Sequence, residues 1–441
     1  MFITVTDGLA RNSARLLVAA LIMGLIWAAC VILFGVAETF ADTHRVHPAQ
    51  HRFSWHRDVA SHRKYLTGNW YGWRDRLVKA GVEATVAYAT DLLGNPTGGI
   101  RQGFQYAGRL DFDVDINLEK LADLKGLQFH LSTSGASGSD LSGQDIGNIF
   151  PASQIFSGGT VRLAALDLKQ SFFDGKLDIA LGRLGTGDEF ITSPLYQNFV
   201  SAFVNGFPNS MSINVPSFSA FPVMTWGVRA KVKPVEPVYA MFGAYNSDPS
   251  LGRDSAHGVD FGLSGDVFVI GEVGYLHNQK ESSIGLPGAY KFGAYYDSSR
   301  YQDLSSAQGN VRGNYGFYLQ VDQMVFREEG PNNPQGLTPF AVVTFAPSSR
   351  NTFPFFVSTG FVYQGLLPGR DKDVTAFGLG YGKFSDHLNN RNFELVLEWT
   401  YEYAVTPWLA LQPDIQYIIK PNGVGTIPNA LVLGLQVGIN F

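Results

Sequence analysis

Apolar and polar residues alternate along most of the chain after residue 81. In RLDFDVDINL, which starts at Arg109, every second residue is apolar and most residues between them are charged. MTWGVRAKVK, from Met224, and FELVLEWTYEY, from Phe393, show the same period of two. Side chains of a β-strand point alternately to its two faces. The period therefore predicts strands with one face in apolar surroundings and the other in water.

Sixteen segments of this kind follow one another, and turn signals such as Asp174–Gly175 and EEGPNNPQG separate them. One longer excursion, residues 185–222, is rich in Ser, Asn, Phe and Pro. A further segment, 258–263, is too short to count as a strand. The predicted strands are 82–91, 105–118, 126–136, 160–171, 176–184, 223–233, 237–246, 267–278, 288–298, 312–326, 338–347, 354–364, 373–384, 392–404, 408–419 and 430–441.

Aromatic residues such as Tyr88, Tyr245 and Tyr401 lie near the ends of the apolar faces. This placement is typical of the interfacial girdles of outer-membrane barrels. In lipid every backbone polar group must be paired, so the strands must close on themselves. We therefore predict an all-β fold, a closed antiparallel transmembrane β-barrel of about 16 strands over residues 82–441. A secreted β-sandwich or β-helix is the alternative, but no short fixed repeat is visible.

The closing strand, LVLGLQVGINF, ends on Phe441. Closure requires this strand to pair with the first one. Its apolar set, which includes Phe441, is predicted to face lipid. Gln436 and Asn440 are predicted to face the pore.

The first 81 residues have a different character. Arg11 and Arg15 precede a long apolar run with small residues after it, which predicts a secretory signal peptide over residues 1–41. A transmembrane anchor is the alternative for this run. Residues 42–81 form a His-rich linker followed by NWYGWRDRLVKAG, in which Asn69 can cap a short periplasmic helix and Gly81 can end it.

Composition excludes several function classes. The net charge of −5 argues against a nucleic-acid partner, which calls for a clustered basic face. The one cysteine, Cys30, lies in the apolar run, so the remaining chain has no thiol for a disulfide or a zinc site. No G-x-S-x-G, H-E-x-x-H, Walker A or Rossmann motif is present. We therefore predict no catalytic residue and no cofactor.

Five histidines in the linker could in principle bind a metal ion. Their spacings increase from three to six residues, which suits no single helical face, so a solvated linker is the preferred interpretation. No metal site is predicted. The five are His44, His47, His51, His56 and His62.

The water-facing sides of the strands carry mixed cations and carboxylates. Such rows can line a pore constriction and offer donors and acceptors to sugar hydroxyls. Their charges nearly balance, which favours a neutral polar solute; for each residue the alternative is an ion pair that braces the wall. The candidate pore-lining residues are Arg183, Arg229, Lys231, Arg109, Asp113, Asp115, Lys169 and Glu398. The candidates for stacking on a sugar ring are Trp70, Trp73 and Phe190.

Three stretches resemble the OprB family of carbohydrate-selective porins. They are GNWYGWRDRLVKAGVEATVAYATDLLGNPTGG, LAALDLKQSFFDGKLDIALGRLGTGDEF and FVNGFPNSMSINVPSFSAFPVMTWGVRAKVKP. The terminal Phe441 is also similar to the family's closing signature. The resemblance implies a sixteen-stranded barrel, constriction loops folded inward and passive, sugar-preferring diffusion. It also implies that Arg183 and Arg229 match arginines of the family's strand ends.

The function expected from these observations is a passive bacterial outer-membrane channel for mono- or small oligosaccharides, with sugar solutes and membrane lipid as partners. The alternative is a general or weakly ion-selective porin. A barrel lipase would show ester hydrolysis, and a transporter of hydrophobic compounds would have an apolar lumen. The oligomeric state, monomer or homotrimer, stays open.

Overall fold

The computed structural model describes residues 64–441 except for a few loop positions. The omitted positions are 205, 249, 251–256, 261, 280–282, 284, 307, 308, 329, 331 and 332. The predicted signal peptide and the five linker histidines lie outside the described residues.

Sixteen long strands dominate the described chain, as the alternation predicts, and a two-residue segment, Phe326–Arg327, continues β10. The strands are β1 (Val82–Thr97), β2 (Phe104–Asn117), β3 (Leu127–Gly138), β4 (Val161–Phe172), β5 (Leu177–Leu184), β6 (Thr225–Val235), β7 (Val238–Asn246), β8 (Val267–His277), β9 (Gly288–Gln302), β10 (Asn310–Gln323), β11 (Gly336–Phe345), β12 (Phe355–Gln364), β13 (Val374–Lys383), β14 (Phe393–Thr406), β15 (Leu409–Ile419) and β16 (Ala430–Asn440).

The sheet closes through its first and last strands. β1 pairs antiparallel with β2 and also with β16, so that Tyr88 lies opposite Leu110 on one side and Ile439 on the other. Every other strand pairs with its neighbours in the chain. No strand edge is left unpaired along the ring, which satisfies the backbone hydrogen bonds that lipid cannot. The closed antiparallel barrel is confirmed.

The two faces of the strands have opposite character, as predicted. On β2, Leu110 is 48% exposed while Arg109 is 6% exposed. On β14, Trp399 is 53% exposed and the adjacent Glu398 only 1%. Large apolar side chains on the outer surface and polar ones inside are the inverse of a soluble protein and suit a lipid-facing barrel.

The N-terminal helix α1 (Trp73–Lys79) begins after Gly72, three residues later than a cap at Asn69 would place it. Asn69 nevertheless helps to satisfy the first turn, because its side-chain oxygen accepts the Asp75 N–H at 3.2 Å. The helix ends at Lys79, and Gly81, two residues later, has a φ of +95°. A side chain on Gly81 would approach the Asn117 carbonyl oxygen to 2.7 Å, so the position suits glycine.

The connections at the two ends of the barrel differ in length. Residues 236–237 and 407–408 join strands at the end where α1 lies, whereas residues 139–160 and 185–224 connect strands at the other end. Short turns are typical of the periplasmic side and long loops of the extracellular side. This arrangement places α1 at the periplasmic rim. Among the described residues, no helix is long and apolar enough to cross a membrane.

Candidate channel and its lining

Two of the long connections fold against the inner wall of the barrel. We call residues 139–160 the first inner segment and residues 185–222 the second inner segment. The second contains the short helices α3 (Thr186–Glu189) and α4 (Ser210–Asn214); α2 (Leu118–Ala122) lies in a periplasmic turn. Together the inner segments bring main chain and aromatic side chains into the interior of the barrel.

Carboxylates on the wall bind backbone N–H groups of the inner segments. Glu398 on β14 accepts the N–H groups of Val200 at 2.6 Å and Ser201 at 3.2 Å. Glu394, four residues earlier on the same strand and face, accepts the N–H groups of Ile149 at 2.9 Å and Phe150 at 2.7 Å. Each carboxyl group accepts two buried backbone N–H groups that have no water to bind instead, so these contacts fix the path of both segments.

A third carboxylate acts in the same way on the opposite side of the second inner segment. Glu272 on β8 accepts the Ile191 N–H at 3.0 Å. It also accepts the hydroxyl groups of Tyr239 and Tyr318 at 2.7 and 2.6 Å. We call Glu272, Glu394 and Glu398 the wall carboxylates. They are 3%, 0% and 1% exposed, so the inner segments and neighbouring wall side chains cover them.

Aromatic side chains of the inner segments pack against a flat part of the wall. β13 carries Gly378, Gly380 and Gly382 on its inner face, and we call these three the glycine strip. Side chains added at Gly378 and Gly380 would collide with the rings of Phe199 and Phe203, respectively. Both rings are fully buried. Removal of these rings from water stabilises the second inner segment in its inward position.

The inner wall of β2 to β4 keeps charged side chains that are partly exposed. His130 on β3 contacts Asp167 on β4 at 2.9 Å and lies 3.7 Å from Asp113 on β2. The side chains of His130 and Asp113 are 24% and 17% exposed, and that of Lys169 on β4 is 30% exposed. Water therefore reaches this part of the lumen.

Arg229 and Lys169 meet a carboxylate of the second inner segment. Arg229 on β6 donates to Glu189 at 2.8 Å, and Lys169 lies 4.0 Å from the same oxygen. Burial raises the pKa of the neighbouring Asp188 carboxyl to about 6, although the Phe221 N–H opposes this effect.

The remaining predicted pore residues lie on the same side of the barrel. Arg183 is 5% exposed and donates to the carbonyl oxygens of Met224 and Asp260. Arg109 pairs with Asp111 at 3.0 Å. Lys231 lies 4.4 Å above the Tyr239 ring.

Asp115 lies opposite His130 in the β2–β3 register. The structure thus brings seven of the eight predicted residues together on β2 to β6. It places Glu398 on the distant strand β14.

The three aromatic candidates fall in different places. Phe190 is fully buried, with its ring edge-on to Tyr245 at 6.5 Å, so it offers no free face to a solute. Trp70 and Trp73 lie at the periplasmic rim and are 37% and 60% exposed. The Arg74 guanidinium covers one face of the Trp70 ring at 4.2 Å.

Sequence reasoning missed several residues that organise the lumen. Glu189 was not selected because it lies in a segment without periodicity, although GDEF after β5 is acidic. His130 and Glu272 sit on the inward phase of β3 and β8, so the alternation alone could have marked both. Among the described residues, no group of three or more His, Cys, Asp or Glu side chains is placed to hold a metal ion.

The model of the carbohydrate-selective porin family OprB matches residues 101–441 of the chain, which include fifteen of the sixteen strands. The chain belongs to the OprB family. As an OprB-family porin, it is a β-barrel channel of the bacterial outer membrane.

Named relatives agree with this assignment. The chain is 28% identical over 424 residues to Porin B of Pseudomonas aeruginosa, covering 86% of this chain and 91% of that protein. It is 24% identical over 429 residues to the putative porin QuiX of Acinetobacter baylyi, covering 86% and 93% of the two chains.

A solved structure shows the same architecture. The high-pH structure of OprB from Pseudomonas putida superposes with a TM-score of 0.81 at 25% identity, covering 87% of this chain and all of that one. The overall fold of this OprB-family chain is therefore one already seen in a solved porin structure.

Proposed function

We propose that this OprB-family porin lets neutral mono- or small oligosaccharides diffuse passively across the outer membrane. One observation carries the proposal: polar side chains of β2 to β4 stay partly exposed inside a barrel whose other walls are covered by the inner segments. The side chains of Asp113, His130 and Lys169 keep between 17% and 30% of their surface exposed. The passage runs along this wall.

Sugar hydroxyls suit such a lining because each is both a donor and an acceptor. Carboxylates accept from a hydroxyl, and Lys or Arg donates to its neighbour, so a paired wall matches adjacent hydroxyl groups. Conduction requires binding weak enough to permit exit, and contact with several partly exposed groups in succession meets that requirement. We assign Asp113, Asp115, Lys169 and Lys231 to contact with the solute, and the buried Arg109, Arg183 and Arg229 to the wall directly behind them.

Sugar block of single-channel current tests the proposal. The purified chain in a planar bilayer should conduct ions, and glucose or maltose should reduce the current in a concentration-dependent way. An uncharged solute of equal size without adjacent hydroxyls serves as the reference. Equal block by all solutes would instead identify a general porin.

The double variant Arg183→Ala with Arg229→Ala tests the lining. In proteoliposomes it should change glucose uptake relative to the reference solute, because both arginines fix wall geometry beside the passage. Arg76→Ala, on the exposed face of α1, is the matched control. Unchanged relative uptake in the double variant would contradict the assignment of these two arginines.

A general or weakly ion-selective porin is the second candidate function. The ion pairs of the wall favour it, since Arg109 with Asp111 and Arg229 with Glu189 satisfy each other without a solute. The family and its fold are those of channels, and we expect no ester hydrolysis by the purified barrel in detergent.

A further inference from the structure

Glu189 occupies an unusual position for a carboxylate in the channel. It comes from the second inner segment and not from the wall, yet it lies between two wall cations. Arg229 Nη2 is 2.8 Å from Glu189 Oε1, and Lys169 Nζ is 4.0 Å from the same atom. Its side chain is 21% exposed and that of Lys169 is 30% exposed, so a solute in the passage can reach this group of charges.

The strand register explains why the two cations converge. Lys169 on β4 lies opposite Ala180 on β5, and Ala180 lies opposite Arg229 on β6. The three residues therefore point inward at the same height. Ala180 is small, which leaves space above it, and α3 begins two residues after β5 and returns Glu189 into that space.

Glu189 offsets part of the positive charge on this stretch of wall, because it contacts both Arg229 and Lys169. Lys231 is the next inward residue on β6, so the cations number three. Two carboxylates of the neighbouring strands lie close to these cations. They are Asp167, whose oxygen is 4.0 Å from Lys169, and Asp178, which lies opposite Lys231 in the strand register. Asp188 adjoins Glu189, and Glu272 also acts on Lys231, so Glu189 contributes one unit of negative charge to this stretch of wall without setting the whole sum.

We propose that Glu189 is the residue that makes the passage selective for neutral sugars over sugar acids. The proposal rests on the proposed sugar channel and names its charge determinant. With Glu189 present, Arg229 and Lys169 both pair with its carboxylate, so their positive charge attracts an anionic solute less strongly. Without it, the same cations form an anion site that binds the carboxylate of an aldonate or uronate. The second inner segment thus sets the charge preference and the wall supplies the cations.

The isosteric variant Glu189→Gln tests this assignment in the full chain in lipid. Under a KCl gradient the reversal potential should move towards the equilibrium potential of chloride, which means that the channel has become more anion-selective. The ratio of gluconate to glucose uptake by proteoliposomes should rise roughly threefold or more, because one unit charge is removed beside the passage. Asp386→Asn, an exposed position at an extracellular turn, makes the same change in net charge and should move neither quantity.

The double variant Glu189→Gln with Lys169→Gln separates charge from structure. It removes one negative and one positive charge together, so the net charge beside the passage is unchanged and both the reversal potential and the uptake ratio should return towards those of the unmodified chain. A role for Glu189 only as a brace for α3 predicts that the second change restores nothing. Unchanged ion and solute preference in Glu189→Gln, with glucose uptake intact, would overturn the inference and leave the sugar channel standing.

Lys169→Gln alone keeps the inference testable should Glu189→Gln not assemble. It should move the reversal potential towards the equilibrium potential of potassium, because Glu189 then lacks one of its two cations. An unchanged reversal potential would refute the inference. Failure of the sugar channel itself has a different signature. In that case the unmodified chain shows no sugar block and no preference for glucose over the reference solute.

Discussion

The Glu398 carboxylate on β14 accepts a hydrogen bond of 2.6 Å from the backbone N–H of Val200, a residue that lies 198 positions earlier in the chain. Glu398 is 1% exposed, and Val200 has no exposed surface. The contact joins the wall of the barrel to the middle of the second inner segment. It is one of the contacts that hold that segment in the lumen.

Glu398→Gln should loosen the second inner segment. The amide keeps one acceptor oxygen but presents an N–H₂ group to one of the two backbone donors, which costs about 2 kcal/mol. We expect a larger and noisier single-channel conductance and weaker sugar block. Asp371→Asn, in an exposed periplasmic turn, makes the same change from acid to amide and should leave the conductance unchanged. A quiet channel of normal conductance in Glu398→Gln would show that other contacts suffice.

Gly380→Ala should displace the second inner segment by steric conflict. A Cβ on Gly380 would collide with the Phe203 ring, and overpacking of a buried site costs roughly 1–3 kcal/mol. We expect a lower unfolding midpoint in denaturant and an altered conductance. Gly425→Ala is the control, because a Cβ there meets no atom within 4 Å. Equal midpoints for the two variants would mean that Phe203 moves aside at no cost.

Arg74→Ala should weaken the seam of the barrel. Arg74 donates to the Phe441 oxygen at 2.9 Å and stacks on the Tyr65 and Trp70 rings at 3.7 and 4.2 Å. Loss of these contacts costs about 1–3 kcal/mol. We expect the folded, faster-migrating band on semi-native gels to disappear at a lower temperature. Arg76→Ala, on the exposed side of the same helix, should melt like the unmodified protein.

Asp373 gives the periplasmic end a dependence on pH. Burial alone would raise the pKa of Asp373, but hydrogen bonds from Arg370, Tyr401 and the Ala404 N–H outweigh burial and lower it. A carboxyl with a lowered folded-state pKa contributes stability that is fully present above its unfolded pKa of about 4. That stability is lost as the pH falls through the folded-state pKa.

Arg370→Gln tests this dependence through the thermal unfolding midpoint measured across pH. The gap between this variant and the unmodified protein should be widest at neutral pH and close in acid below about pH 4. Lys79→Gln, exposed on α1, provides the control for net charge. A gap that stayed constant with pH would exclude the Asp373 carboxylate as its cause.

The strands could be predicted from the sequence because their signal is local. Alternation over ten residues fixes both the strand and its two faces, as Arg109 and Leu110 illustrate by their opposite exposure. Closure followed from the backbone requirements of lipid, and β1 does pair with β16. Glu398 was correctly expected to face the interior for the same reason.

The inner segments could not be predicted in detail, because their contacts are distant in sequence and without a period. Glu398 points inward as expected, but its partner lies in a segment whose path only the folded barrel defines. The sequence predicts that Phe190 stacks on a sugar, whereas the structure buries it against Tyr245. The role of Glu189 could not be predicted from the sequence, because only the folded sheet aligns Lys169 on β4 with Arg229 on β6.

The wall carboxylates bind main chain and not side chains, and this has a consequence for how such channels can diversify. Every residue except proline supplies a backbone N–H, so Val200, Ser201 and Ile191 could be exchanged without removing an anchor. The inner segments can therefore change their side chains, and with them the solute preference, while the barrel keeps hold of the same path. A designer who wishes to retune this porin would rewrite residues 185–222 and leave Glu272, Glu394 and Glu398 untouched.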